Sequence, residues 1–196
     1  MDKSSISGSV PVADIADIIN GYKKEDGRLL IALDGRCASG KTTIATELQR
    51  ILNCEVVHMD HFFLRPEQRS AERLNIPGEN IDHERFLTEV LLPLSRGDNA
   101  SYRPFNCQKQ EFDEPVQVGN KRICIIEGAY SCHERLREYY DLRIFISVEP
   151  EEQIRRIVTR NGMDGAELFQ KRWIPLEEQY FETCRIVDVC DYCFTT

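Results

Sequence analysis

The chain has 196 residues, enough for one well-packed domain and too few for two comfortable ones. Its 25 basic residues against 33 acidic ones give a formal charge of -8, which opposes a nucleic-acid-binding surface and leaves room only for local anion sites. Apolar runs such as Ile123 to Ile126 and Ile144 to Val148 are too short to span a bilayer, and Met1 to Pro11 lacks the apolar core of a signal peptide, so a single cytoplasmic domain over residues 1–196 is expected.

Residues 1–27 read as a lead-in and an opening helix, with Val12, Ile15, Ile18 and Ile19 at helical spacing after Pro11. Leu29 to Leu33 is a continuous apolar run suited to a central buried strand. A glycine-rich loop follows, then a helix from Lys41 to Leu52 with Ile44, Leu48 and Ile51 along one side. Glu55 to Met59 reads as a second strand ending at Asp60. Residues 61–82 are broken by Pro66, Pro77 and Gly78, and His83 to Leu94 returns to helical spacing. Residues 98–120 form an excursion, hairpin-like near 100–118, that Pro104 and Pro115 keep off the sheet interior. Arg122 to Ile126 and Leu142 to Val148 are further strands. A helix from Pro150 to about Arg160, a helical segment from Glu167 to Cys184 kinked at Pro175, and a last strand within Val189 to Thr195 complete the chain. Strand and helix alternate. The fold class predicted is α/β, a three-layer phosphate-loop NTPase type with a mostly parallel five-stranded sheet and helices on both faces.

The eight cysteines at 37, 54, 107, 124, 132, 184, 190 and 193 are mostly isolated. Only Cys190 and Cys193 have metal-like spacing, and no second pair completes a site, so free thiols are expected.

Gly35-Arg36-Cys37-Ala38-Ser39-Gly40-Lys41-Thr42 fits the G-x-x-x-x-G-K-[ST] pattern between a buried strand and an amphipathic helix. Gly35 and Gly40 let the backbone curl so that its N–H groups, through Ala38, Ser39 and on to Thr43, point at phosphate oxygens. The helix start adds unpaired N–H groups and the positive end of its dipole. Lys41 can bridge the outer phosphates, and the Thr42 hydroxyl can bind Mg²⁺. The pattern therefore predicts ATP and Mg²⁺ as the bound pair.

Acidic residues should stand at the carboxyl ends of neighbouring strands, where ligands bind in such sheets. Asp60 and Glu127 both do so. One would hold Mg²⁺ and the other would take the proton from an attacking hydroxyl, with the assignment between them open. Arg156 and Arg160, four apart on one helix face beside Asn161-Gly162 and Gly165, read as a lid over residues 155–166 that neutralises a transferring phosphoryl group. Arg65, Arg69 and Arg73 also recur every four residues and read as a solvated helical turn.

From Leu29 onward the chain resembles the uridine kinase-like branch of the phosphate-loop kinases, which includes phosphoribulokinase and pantothenate kinase relatives. The likeness rests on Gly35 to Thr42, Met59-Asp60-His61-Phe62-Phe63, Asn80-Ile81-Asp82-His83, Ile125-Ile126-Glu127-Gly128, Arg155-Arg156 to Arg160, and Pro175 with Tyr180-Phe181. It implies an ATP-dependent phosphotransferase acting on the hydroxyl of a small molecule, most readily a nucleoside, with another small polyol as the alternative. It also implies Asp60 as catalytic base, Arg156 and Arg160 as lid arginines, and Asp82, with His83 beside it, at the acceptor's sugar hydroxyls. Without the resemblance, Asp82 reads as the N-cap of the helix that starts at His83. Uridine kinases carry Tyr-Asp-Phe and a nearby His in the excursion. This chain has Tyr102, then Pro104-Phe105-Asn106-Cys107, and no histidine in Gln108-Lys109-Gln110. Phe105 would stack on a ring there, and Asn106 or Arg103 would hydrogen-bond a polar acceptor. A GTPase switch is disfavoured, since none of the 11 glycines has Asp three places before it. A binding module without catalysis is disfavoured by the full set of Lys41, Thr42, Asp60 and Glu127.

Overall fold

In the computed structural model, residues 6–7 and 12–196 are described. The remainder of the expected lead-in, and with it most of the signal-peptide reading of Met1 to Pro11, lies outside the described residues.

All five expected strands enter one parallel sheet: β2 (Leu29–Gly35), β3 (Glu55–His58), β8 (Ile123–Glu127), β9 (Leu142–Ser147) and β10 (Tyr192–Thr195). A two-residue strand not expected from the sequence, β1 (Ile6–Ser7), adds a sixth at the edge, giving the order β1-β10-β9-β2-β8-β3. The 100–118 excursion is a hairpin in two pieces. In it β4 (Ala100–Tyr102) pairs antiparallel with β7 (Val116–Val118), and β5 (Phe105–Asn106) with β6 (Glu111–Phe112).

Side-chain alternation along β2 builds the three layers. Leu29, Ile31 and Leu33 point to one face, where they pack with Ile15 and Ile19 of α1 (Val12–Gly21) and Ile44 and Leu48 of α2 (Lys41–Leu52). Leu30 and Ala32 point to the other face, among Phe62, Phe86, Val90, Leu91, Tyr180 and Phe181. Every residue of β2 is buried, as an all-covered central strand requires. Ile51 departs from expectation: it is 47% exposed, because the buried stripe of α2 runs through Ile44, Ala45 and Leu48 and ends a turn earlier.

Two helical segments contain a wide π-type turn immediately before a proline region. The expected 83–94 helix is α4 (His83–Phe86), a wide turn at Leu87–Leu91, and α5 (Leu92–Ser95), which carries Pro93. The helix after Pro150, α6, runs to Leu168 rather than Arg160, with Gly162 off the helical path (φ 73°, ψ 178°) at the expected hinge. A wide turn at Phe169–Trp173 then leads into α7 (Ile174–Thr183), where Pro175 lacks the N–H that a regular ladder would use. Short turns fill the rest, namely α3 (Ala71–Leu74) and α8 (Ile186–Val189); the latter delays the last strand to Tyr192.

The parallel register brings the carboxyl ends to one edge. His58 of β3 and Leu33 of β2 both lie beside Glu127 of β8, and Gly35 lies beside Ile146 of β9. All eight cysteines are free. Cys54, Cys124, Cys132 and Cys190 are buried, and Cys107 is exposed. No helix among the described residues is long and apolar enough to cross a membrane.

Candidate active site

A cavity of about 1000 Å³ opens at that edge. Its floor is the loop leaving β2. Gly35 has φ 141° so that the chain can pass against β9; a Cβ there would sit 2.0 Å from the Ile146 carbonyl oxygen. Ala38 and Gly40 also take left-handed backbone (φ 58° and 88°), which turns the segment into a concave nest feeding α2. Lys41 is buried at the base of this nest, its ammonium donating to the carbonyls of Gly35 (2.8 Å) and Arg36 (2.7 Å). The Ser39 hydroxyl is buried in the loop with no protein partner. Cys37 to Thr43 all line the cavity, and Gly35 shapes it from behind.

The acidic wall follows from strand register. Glu127 is buried at the end of β8, where the Thr42 hydroxyl donates to both of its oxygens (3.2 and 3.3 Å) and His58 Nδ1 meets Oε1. That bond, more than any other influence, raises the His58 imidazole above its ordinary range. Asp60 stands in a 3₁₀ turn (Met59–Phe62) just past β3, rather than on the strand end itself, and faces the cavity. Protein packed around its carboxyl, and then the Glu127 charge, push its proton affinity up. Lys41, His58 and Arg160 pull it down. Gly128, with φ 137°, lets β8 pass against β3, since a Cβ there would lie 2.8 Å from Met59 Cβ. The Thr42 hydroxyl and the Glu127 and Asp60 carboxylates form an all-oxygen donor set, which fits a hard divalent cation such as Mg²⁺.

From the far side, α6 and the turn after it close over the loop. Arg156 donates to the Ala38 carbonyl (3.2 Å) and the Thr196 hydroxyl (2.9 Å), while its Nε pairs with Glu152 (2.7 Å). Arg160 lines the cavity with its guanidinium 5.5 Å from the Phe169 ring centroid. Arg155 points away, exposed and paired with Glu152.

Several residues that hold this half together were not singled out in the sequence. Asp34, fully buried, accepts bonds from the N–H groups of Gly35 (2.7 Å), Tyr130 (3.2 Å) and Cys132 (2.8 Å) and from the Tyr180 hydroxyl (2.9 Å). It fastens β2, the turn after β8 and α7 to one point, although burial raises its carboxyl above the usual range. Glu177 accepts from Cys37 N–H (2.8 Å), and Gln153 donates to the Cys37 carbonyl (3.0 Å). His58 becomes visible only through the β3–β8 register.

The acceptor-side expectations fare differently. Asp82, 4% exposed, is the N-cap of α4: it accepts from Arg85 N–H (3.1 Å) and from the Gln68 amide (2.7 Å) and does not line the cavity. His83 is buried behind it, bonded to Glu79 (2.9 Å). Tyr102 is buried against Phe62, its hydroxyl 3.0 Å from His61 Nδ1. Phe105 is buried edge-on against Phe112. Asn106 is used within the hairpin, accepting from Gln108 N–H (3.0 Å) and Lys109 N–H (3.1 Å). None of these five lines the cavity. On the side where the acceptor was expected, the cavity is lined instead by Phe63, Leu64, Arg69, Leu74, Asn80, Cys107, Gln108 and Tyr130. Arg69, read from the sequence as part of a solvated turn, belongs to it.

Glu79, His83 and His133 bring three potential metal-ligand atoms within 4.8 Å of one another. The two imidazoles are stacked (centroids 4.3 Å apart, 14° between planes), so their in-plane lone pairs run side by side instead of converging on one ion. The cluster is packing behind the acceptor wall.

The family model described as "Phosphoribulokinase / Uridine kinase family" matches residues 30–164. Uridine-cytidine kinase C of Dictyostelium discoideum is 27% identical over 162 residues, 76% of this chain and 34% of that one. The uridine kinase of Brevibacillus brevis is 29% identical over 144 residues, 68% of this chain and 66% of that one. The chain thus spans less than two thirds of the length of either relative. Among solved structures, a possible uridine kinase from Bacillus stearothermophilus superposes with a TM-score of 0.72 at 20% identity, covering 93% of this chain and 96% of that one.

Proposed function

The chain belongs to the phosphoribulokinase/uridine kinase family, and from that premise we propose that it is an ATP-dependent kinase transferring the γ-phosphoryl group to a hydroxyl of a small molecule. The observation that carries this reading is the convergence on one cavity of the loop with Lys41, the Thr42–Glu127 pair, Asp60 and the two lid arginines. The loop amides and Lys41 would hold the phosphates, and Arg156 and Arg160 would offset charge on the transferring group. Thr42 and Glu127 would hold Mg²⁺, which when bound neutralises phosphate charge. Asp60, whose carboxyl is pushed toward higher proton affinity, would take the acceptor's proton while Glu127 stays tied to Thr42 and His58.

The relatives named as uridine kinases make a nucleoside the first acceptor to test. One observation favours another small polyol or metabolite instead: Tyr102, Phe105 and Asn106, where base recognition was expected, are engaged inside the protein. The decisive variant is Asp60→Asn, which should fold and bind ATP yet lose phosphoryl transfer by about 10²- to 10⁴-fold. Coupled-assay turnover on a panel of nucleosides and polyols, beside calorimetric ATP binding, measures both. Undiminished turnover in that variant would remove Asp60 from the mechanism, and no acceptor-stimulated ADP release from the parent protein would remove the kinase reading.

A further inference from the structure

The acceptor wall contains one cation without a counterion. Of the arginines on the segment between β3 and α4, Arg65 pairs with Glu67 (3.0 Å) and Arg73 with Glu84 (2.7 Å), and Arg85 within α4 pairs with Glu89 (3.2 Å). Arg69 has no carboxylate within ion-pair reach among the described residues. Its Nε donates to the Leu64 carbonyl (2.9 Å), which anchors the planar group where Arg69 lines the cavity. A guanidinium fixed in this way is suited to bidentate recognition of a carboxylate or phosphate. The Cys107 thiol, which also lines the cavity, is a hydrogen-bond partner of Arg69. Asp60, Arg69 and Cys107 line the same cavity.

A second and independent sign lies beside it. Asn80 is 6% exposed and lines the cavity; its Nδ2 donates to the Tyr130 hydroxyl (3.1 Å), and its Oδ1 has no partner in the protein. Turning the amide over would leave the other atom unpartnered instead, so either assignment leaves one polar atom for a ligand. A buried amide atom without a partner is unfavourable, and a bound hydroxyl would supply the missing bond. Asp82, meanwhile, is occupied as a helix cap and is not available for that role.

We propose that Arg69 and Asn80 form the acceptor-recognition subsite, and that the acceptor is a small hydroxy compound bearing an anionic group, with Arg69 holding the anion and Asn80 a hydroxyl. The proposal rests on the kinase reading for the word acceptor, but binding tests it without turnover. Trp173 is the only tryptophan in the chain and lines the cavity, so its fluorescence reports occupancy. With the phosphate loop filled by MgADP, the full chain is titrated with two matched pairs: gluconate against glucitol, and ribose 5-phosphate against ribose.

The charged member of at least one pair should bind at least 10-fold more tightly than its neutral partner, and the responding pair distinguishes carboxylate from phosphate. Arg69→Gln should abolish that preference, a loss of about 10- to 100-fold, with MgADP affinity retained. Arg69→Lys, which keeps the charge but not the fork, should fall between. Asn80→Ala should weaken both members of a pair by a similar factor. Equal binding of charged and neutral members, or a preference that survives Arg69→Gln, overturns the proposal. Anion binding that depends on Arg69 without any acceptor-stimulated ADP release leaves the subsite standing and overturns only the kinase reading.

Discussion

The donor and acceptor halves of the cavity are built by different means. The floor of the donor half is one contiguous stretch, Gly35 to Thr43, whose shape comes from backbone: left-handed φ at Ala38 and Gly40, and Gly35 wedged against Ile146. The acceptor half draws Phe63, Arg69, Asn80, Cys107 and Tyr130 from scattered segments and depends on side chains. Backbone-made sites need particular residues at fixed spacing, so they leave a pattern in the chain. Side-chain-made sites need only that the fold bring groups together.

The largest effect that would break this contrast is expected at Lys41. Removing its ammonium by Lys41→Ala should cost about 10³-fold in turnover, roughly 4 kcal/mol of barrier, with the fold retained. Acceptor-stimulated ADP release and circular dichroism measure the two. Retained turnover would mean that phosphate chemistry does not occur at this loop. Next is Asp34→Asn. The new NH₂ would face one or more of the three N–H groups that now donate to the carboxylate, so we expect about 3 kcal/mol of lost stability in urea unfolding. A neutral result would show that the donor loop keeps its shape without its main anchor.

Much of the donor half was legible because each requirement acts within a few residues. Gly35, Gly40, Lys41 and Thr42 are fixed by one loop, and Glu127 and Asp60 by the ends of two apolar runs. The sheet was legible for the same reason, since β2 and β8 are unbroken apolar segments. What could not be read was lateral. Nothing in Glu55 to His58 says that His58 will lie beside Glu127, because register between strands 69 residues apart is settled by packing. Asp82 shows the opposite case. A motif suggested a ligand, but the local rule, a carboxylate just before a helix, describes where its oxygens go. Arg69 is exposed, as a solvated turn requires, yet it lines the cavity; its bonds to the Leu64 carbonyl and the Cys107 thiol leave no mark in the pattern.

Protonation sharpens the comparison, since the two halves should respond to pH with opposite sign. His133, behind the acceptor wall, is driven down to about 3 by burial first and then by His83. Its contribution is complete above the ordinary value near 6.5 and is lost as pH falls toward 3, by about 1.4 kcal/mol per unit, or about 2 kcal/mol at pH 5. His58, on the donor side, is raised by Glu127, so its contribution is complete below the ordinary value and is lost as pH rises through the raised one. Imidazole chemical shifts followed by NMR should separate the pair, and His133→Phe should flatten the acid limb of urea stability. An ordinary titration midpoint at His133 would show that water reaches the back of the acceptor wall.

The smallest expected effect bears on the acceptor half alone. If Asp82 serves only the chain, Asp82→Ala should cost about 1 kcal/mol of stability through loss of the α4 cap, with little change in acceptor KM. Asp82→Asn should restore most of that stability, because asparagine caps a helix as well as aspartate does. A sugar-hydroxyl ligand would behave otherwise. Both variants would then raise KM for the acceptor by a similar factor while stability changed only in the alanine variant. Parallel urea and KM measurements on the two variants therefore decide whether this carboxylate faces the helix or the substrate. The bonds to Arg85 N–H and the Gln68 amide place it with the helix.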